Sequence, residues 1–163
     1  MTGPMNSTGT NVGGWPATEA RELANGEYFN YLPSDLQKVI IDTKVISGHG
    51  SASGETNFTS TDKLYLLSAH EVYEDGTSYK ISTNDTAWNN TRQLDYYKAR
   101  NVTLDGHWSG AMKWHDEMAD WWRLRTADSA SNTFFLMAGV VSGGLLISSA
   151  DYAIGFVPAF RIG

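Results

Sequence analysis

Four histidines, His49, His70, His107 and His115, are the residues best suited by type to proton transfer or metal ligation near neutral pH. None stands in an H-x-x-x-H or H-x-H spacing, which would turn two imidazoles toward one ion. The densest titratable cluster is "WHDEMAD", which brings His115, Asp116, Glu117 and Asp120 close together. Its plain reading is a solvated acidic turn, and a cation-binding or catalytic cluster centred on His115 and Asp116 is the alternative. The absence of cysteine removes disulfides, thiolate metal sites and thiol nucleophiles together. There is no G-x-S-x-G elbow to anchor a Ser-His-Asp hydrolase. Calcium-dependent sugar binding needs a Glu-Pro-Asn type triplet beside further acids, and that triplet is missing too. The expectation is therefore a non-enzymatic protein without a cofactor, with a structural Ca²⁺ left open.

Charge narrows the partners. The 163 residues carry 12 Lys and Arg against 18 Asp and Glu, for a net charge of -6. The cations are dispersed, so the phosphate-neutralising attraction behind nucleic-acid binding is lacking. The most apolar run, Ala138 to Ala150, is broken by Gly and Ser, which argues against membrane insertion. The start, "MTGPMNSTGT", has no basic or apolar stretch of the kind a signal peptide needs, and reads as a flexible lead over residues 1–10. One domain over residues 1–163 is expected, with six Trp, eight Tyr and six Phe to fill a core or a binding surface.

The elements that must position any site can be read from caps and periodicity. Thr18 as N-cap, with Glu19 and Glu22 in the first turn and Asn25-Gly26 as a stop, marks a short helix. Pro33 and Ser34 open a second, in which Ser34 and Gln37 suggest a capping box and Leu36, Val39 and Ile40 a buried face. A Gly/Ser/Thr-rich loop follows, and "KLYLLSAHEVY" reads as a strand with Leu64 and Leu66 in the core. Residues 74 to 110 carry no clear assignment. "MADWWRLRT" alternates as a strand, Trp122, Leu124 and Thr126 on one face and Trp121, Arg123 and Arg125 on the other. "NTFFLMAG", "LLISSA" and "GFVPAF" then read as an antiparallel meander, and helices before strands make the class α+β.

"NVGGW", "YLPSDLQKVI", "TDKLYLLSAHEVY", "WWRLRT" and "GFVPAF" follow one another in an order that resembles a family of bacterial and phage domains of unassigned function. That family has a Trp-Trp-Leu-Arg-Ser type signature and a Gly-Val-Arg-Pro-Ala type ending, and the likeness spans about Asn11 to Ile162. Two positions depart from it: Arg123 stands at a usual Trp, and Val157 at a common Arg. The resemblance implies a C-type-lectin-like fold in the formylglycine-generating-enzyme branch, two short helices packed on a twisted antiparallel sheet. It also implies similarity to the variable proteins of diversity-generating retroelements. Formylglycine-type catalysis itself needs a cysteine.

In those variable proteins, mutagenesis of AAC or AAT codons near the gene's end never yields Lys, Glu, Gln, Trp or Met. From Thr126 to Ile162 this chain has no Lys, Glu, Gln or Trp, while the preceding 125 residues hold six, seven, two and six of them. Met137 is the exception. The resemblance thus implies a diversified binding surface on the closing meander; a sheet short of charge through burial and chance is the plainer account.

If Phe135 and Met137 point inward, then Phe134, Leu136 and Ala138 point out. With Leu146, Ser148 and Ala150 inward, Leu145, Ile147 and Ser149 join the outer face. Asp128, Ser129, Ser131 and Asn132, Val140 and Ser142 in the turn, and Asp151, Tyr152 and Ile154 would rim it. Trp121 and Trp122 read as packing residues rather than a ligand platform. The expected function is ligand or receptor binding on a phage virion (tail or capsid surface) or bacterial cell surface, with a host-surface protein or glycan as partner. The alternative is a structural subunit of a virion or envelope assembly, with a homo-oligomer or other virion subunits as partners.

Overall fold

The computed structural model describes residues 2–77, 80–106, 108–139 and 145–163, apart from the side chains of Trp108 and His115. A two-residue strand, β1 (Thr2–Gly3), leads to helix α1 (Glu19–Leu23). Thr18 caps that helix as its sequence demands, its hydroxyl accepting from the Arg21 N–H. The Asn25-Gly26 stop fails: the chain continues through a π turn over Ala24–Tyr28. Asn25 is engaged elsewhere. Its amide donates to the Leu64 carbonyl at 2.9 Å and its oxygen accepts from the N–H groups of Lys63 and Leu64, tying the helix to the segment beside it.

Helix α2 (Ser34–Val39) also departs from its pattern. Pro33, not Ser34, is the N-cap, and Gln37 donates to the Leu32 carbonyl at 2.7 Å instead of closing a capping box. Val39 is exposed and Leu36 half-buried, while Ile40 reaches the core from the next element, β2 (Ile40–Ile41). Strands β3 (Thr43–Ser47) and β4 (Phe58–Asp62) form a hairpin. After Asp62 the expected strand dissolves. Leu64 and Leu66 are buried as anticipated, Tyr65 makes an isolated bridge to Ala159, and helix α3 (Ala69–Val72) begins at Ser68 with a full capping box to Glu71. Helix α4 (Asp95–Lys98) lies in the stretch that periodicity could not assign.

The rest is mostly sheet. A hairpin of β5 (Lys113–His115) and β6 (Met118–Asp120) precedes β7 (Trp122–Ala127), β8 (Phe134–Ala138), β9 (Leu145–Ser149), β10 (Ile154–Gly155) and β11 (Arg161–Ile162). The main sheet has the order β1-β10-β7-β8-β9, with β10 parallel to β7 and the other pairs antiparallel. The fold is thus α+β, with a few short helices and mixed sheets. "GFVPAF" is not the third strand of a meander. The chain crosses back after β9 to lie beside β7, and β11 then pairs with β2. No helix among the described residues is long and apolar enough to cross a membrane.

Strand β7 is buried along its whole length, Arg123 and Arg125 included. Trp122, Leu124, Leu136, Ala138, Leu145 and Phe156 fill the core beneath the sheet together with Trp15 and Tyr73. Around this core lies a polar layer. Asp85 accepts from the Ala87 N–H at 2.9 Å and from the Thr126 hydroxyl at 3.2 Å, and that hydroxyl accepts from the Ala69 N–H.

Burial holds the Asp85 carboxyl above its ordinary range, against the pull of the Ala87 N–H, Arg125 and Thr126. The folded state therefore binds this proton more tightly than the unfolded chain. The stabilisation is complete below the unfolded value of about 3.9 and is lost as pH rises through the folded one. Urea unfolding of the native chain and Asp85→Asn across pH should show the native chain losing stability relative to the variant as pH climbs through that window. A pH-independent difference would rule the assignment out.

Candidate binding face on the C-terminal sheet

Register decides which side chains share a face. Met137 stands opposite Leu146 in β9 and opposite Arg123 in β7, so these three, with Ser148 two residues on, share one side of the sheet. Trp122, Ala138 and Leu145 are aligned on the other, against the core. The expected facing of the hairpin holds for buried Phe135 and Ala150 and for exposed Ile147, but is reversed elsewhere. Leu136, Ala138, Leu145 and Ile154 are buried and Phe134 is half-buried, whereas Leu146, expected inside, is exposed. Apolar residues occupy both parities of β8 and β9, so their alternation could not say which parity meets the core. Met137 is buried as expected, but on the outer side.

On that side, the segment after β9 crosses over the sheet and is held from below by Arg123. Its guanidinium donates to the Ser149 carbonyl at 2.7 Å, the Tyr152 carbonyl at 2.6 Å and the Ser148 carbonyl at 3.3 Å. Burial pulls this arginine down to about 10, opposed by the Asp151 carboxylate. Even so, it stays a cation at neutral pH. Ser149 donates to Asp151 at 2.5 Å, and Ala150 N–H bonds to the Thr133 carbonyl, so the crossing segment is anchored at several points.

The anchored segment walls a cleft of about 370 Å³ with Trp121 and Asp120, floored by Met137 and Ser148 and closed by Tyr152, Ile154 and Gly155. Trp121 also borders a smaller hollow of about 170 Å³, whose far side is Lys113, Trp114 and Phe156. Gly139 makes this arrangement sterically feasible: a Cβ there would sit 1.8 Å from the Trp121 ring. Tyr152 at 65% exposure and Trp114 at 67% line these hollows, and Leu146 at 45% stands beside Met137 on the same side of the sheet. That is more apolar side chain than scattered surface residues ordinarily present.

Of the expected contact residues, Tyr152 and Ile154 line this cleft, while Ile147, though exposed, pairs with Leu136 and so has the parity of the opposite side of the sheet. Asp128, Ser129, Ser131 and Asn132 do not line it, since they follow Ala127 at the opposite end of the strands from Trp122. There Asp128 is buried, Ser129 donates to the Thr83 carbonyl, and the Asn11 amide donates to Ser131 and Phe134 carbonyls. Val140 and Ser142 lie outside the described residues. Asp120, Trp121, Trp114 and Leu146 were not anticipated. The Trp-Trp pair held the signal, because adjacent strand residues face opposite ways and only one of the two rings can enter the core.

The acidic cluster is a turn. Asp116 and Glu117 join β5 to β6 with φ of 47° and 64°, the left-handed pair of a tight two-residue hairpin turn. The His115 side chain lies outside what is described. Among the described residues, no group of three or more His, Asp or Glu could hold a metal ion.

A comparison with sequence families matches residues 2–162 to the one described as Domain of unknown function (DUF6273). No curated protein and no solved structure matches the chain.

Proposed function

We propose that this chain, which belongs to the DUF6273 family, is a non-enzymatic recognition module of C-type-lectin-like fold. It binds a host-surface protein or glycan through the outer face of its C-terminal sheet. Its place is a phage virion, on the tail or capsid surface, or a bacterial cell surface. The supporting observation is that exposed Tyr152 and Trp114 line the Trp121 clefts, with exposed Leu146 beside Met137 on the same side of the sheet. Aromatic anchors within a Ser/Asp rim are the usual make-up of a recognition surface. The likeness to retroelement-diversified proteins adds a division of labour. Met137, Ser148, Tyr152 and Ile154 fall in the stretch that lacks Lys, Glu, Gln and Trp, and they line one cleft with Trp121 and Asp120, which precede it.

Labelled protein incubated with panels of bacterial cells and immobilised glycans is expected to bind a subset. Tyr152→Ala and Leu146→Ser, both exposed and compatible with folding, should each weaken that binding about tenfold, the scale of an interface anchor. Binding untouched by both changes, or none to any panel, would exclude this face.

A second reading, a subunit of a virion or envelope assembly, has its own support. Val39, Ile41, Phe160 and Ile162 are exposed apolar residues at or beside the β11–β2 pair. Sedimentation at rising concentration separates the two readings, since a subunit interface would produce discrete oligomers that Ile162→Asp abolishes.

A further inference from the structure

A hollow of about 400 Å³ lies away from the binding face and shares none of its lining residues. It opens between β3, the segment before α4, and β11. That volume suits a small molecule rather than a protein segment.

Its charge is opposite to that of the chain. Lys44, Arg92, Arg125 and Arg161 line it against the single carboxylate of Glu71, in a protein whose net charge is -6. Arg125 and Glu71 neutralise one another at the floor, in a two-pronged pair at 2.5 and 2.9 Å. At the rim, Arg92 reaches Asp95 at 2.9 Å, an exposed pair that water and salt weaken. Lys44 and Arg161 have no carboxylate within 4.0 Å among the described residues, and both are exposed. Two unpaired cations beside two paired ones repel each other unless an anion joins them.

The remaining lining is suited to a polar ligand body. Asn89, Asn90 and Thr91 bring amides and a hydroxyl to one wall, and Tyr65 gives an aromatic surface next to Arg125. We propose that this cleft is a binding site for a small anionic molecule, a carboxylate- or phosphate-bearing ligand such as an acidic sugar. Lys44 and Arg161 engage its charge and the Asn89–Thr91 wall its hydroxyl groups. This site is independent of the function proposed for the C-terminal sheet.

The test is calorimetric titration of the full chain at low ionic strength with inorganic phosphate and, separately, with glucuronate. At least one is expected to bind with a dissociation constant on the order of 1 mM or tighter, and more weakly as salt is raised. The Lys44→Gln/Arg161→Gln double variant, altered only at exposed positions, should bind about tenfold more weakly or worse. Tighter binding of glucuronate identifies a carboxylate sugar, and tighter binding of phosphate a phosphorylated ligand. Absence of binding by both probes, or equal binding by the double variant, overturns the proposal. Loss of binding by Tyr152→Ala would instead place the anion on the sheet face and overturn it as well.

Discussion

Glu71→Ala is expected to lower the unfolding free energy by about 3–5 kcal/mol, a large share of the 5–15 kcal/mol typical of a domain. The carboxylate meets both terminal nitrogens of Arg125, and its Oε2 also accepts from the Ser68 N–H that begins α3. Arg125 in turn donates to the carbonyls of Leu66 and Ile46. One guanidinium thus joins β7, β3, the segment before α3 and α3 itself. Removing the carboxylate leaves a cation whose side chain is 2% exposed without its counter-charge. Glu71→Gln keeps an acceptor for Ser68 and should lose less. Arg92→Ala removes the exposed pair with Asp95 and serves as control, with an expected change under about 0.5 kcal/mol. Urea denaturation at pH 7 reads all three. A loss below about 1 kcal/mol for Glu71→Ala would mean that water or a rearranged Arg125 replaces the pair.

The second large effect lies beneath α1. Asp62 is fully buried at the end of β4, where its carboxylate accepts from the Trp15 indole at 3.0 Å, the Ser60 hydroxyl at 2.6 Å and the Arg21 guanidinium at 2.6 Å. Asp62→Ala removes all three at once, together with a longer bond of 3.4 Å from the Asn25 amide. Trp15 and Ser60 are buried, so their donors would face no acceptor, while Arg21 is partly exposed and can turn to water. A loss of about 3–5 kcal/mol is expected in urea denaturation. Near-ultraviolet circular dichroism should also change, because Trp15 loses its fixed orientation. Asp62→Asn, which keeps one oxygen for the indole, should recover part of the loss. Equal stability of Asp62→Ala and the native chain would show that the core relaxes to satisfy these donors by other means.

Both aspartate and glutamate sites were silent in the sequence, because their partners are remote. Arg125 is 54 positions from Glu71 and Trp15 is 47 from Asp62. Arg125 is a structural ion-pairing residue through its bond to Glu71. Arg123 differs: it meets backbone carbonyls instead of a carboxylate. Local signals did better. Thr18 caps its helix, Leu64 and Leu66 are core, and the acidic cluster is a turn.

By itself, the sequence determined composition-level and local properties: an α+β chain without cysteine chemistry, the first helix cap, the β7–β8–β9 strands and the uneven makeup of the tail. Hydrogen bonds within a few residues and apolar periodicity suffice for these. Tertiary structure alone decided which parity of β8 and β9 meets the core, why Trp121 and not Trp122 borders the larger cleft, and where the buried ions find partners. Apolar side chains on both parities make the two facings equivalent in sequence. Only packing against Trp122 on one side, and the Arg123-anchored crossing on the other, separates them.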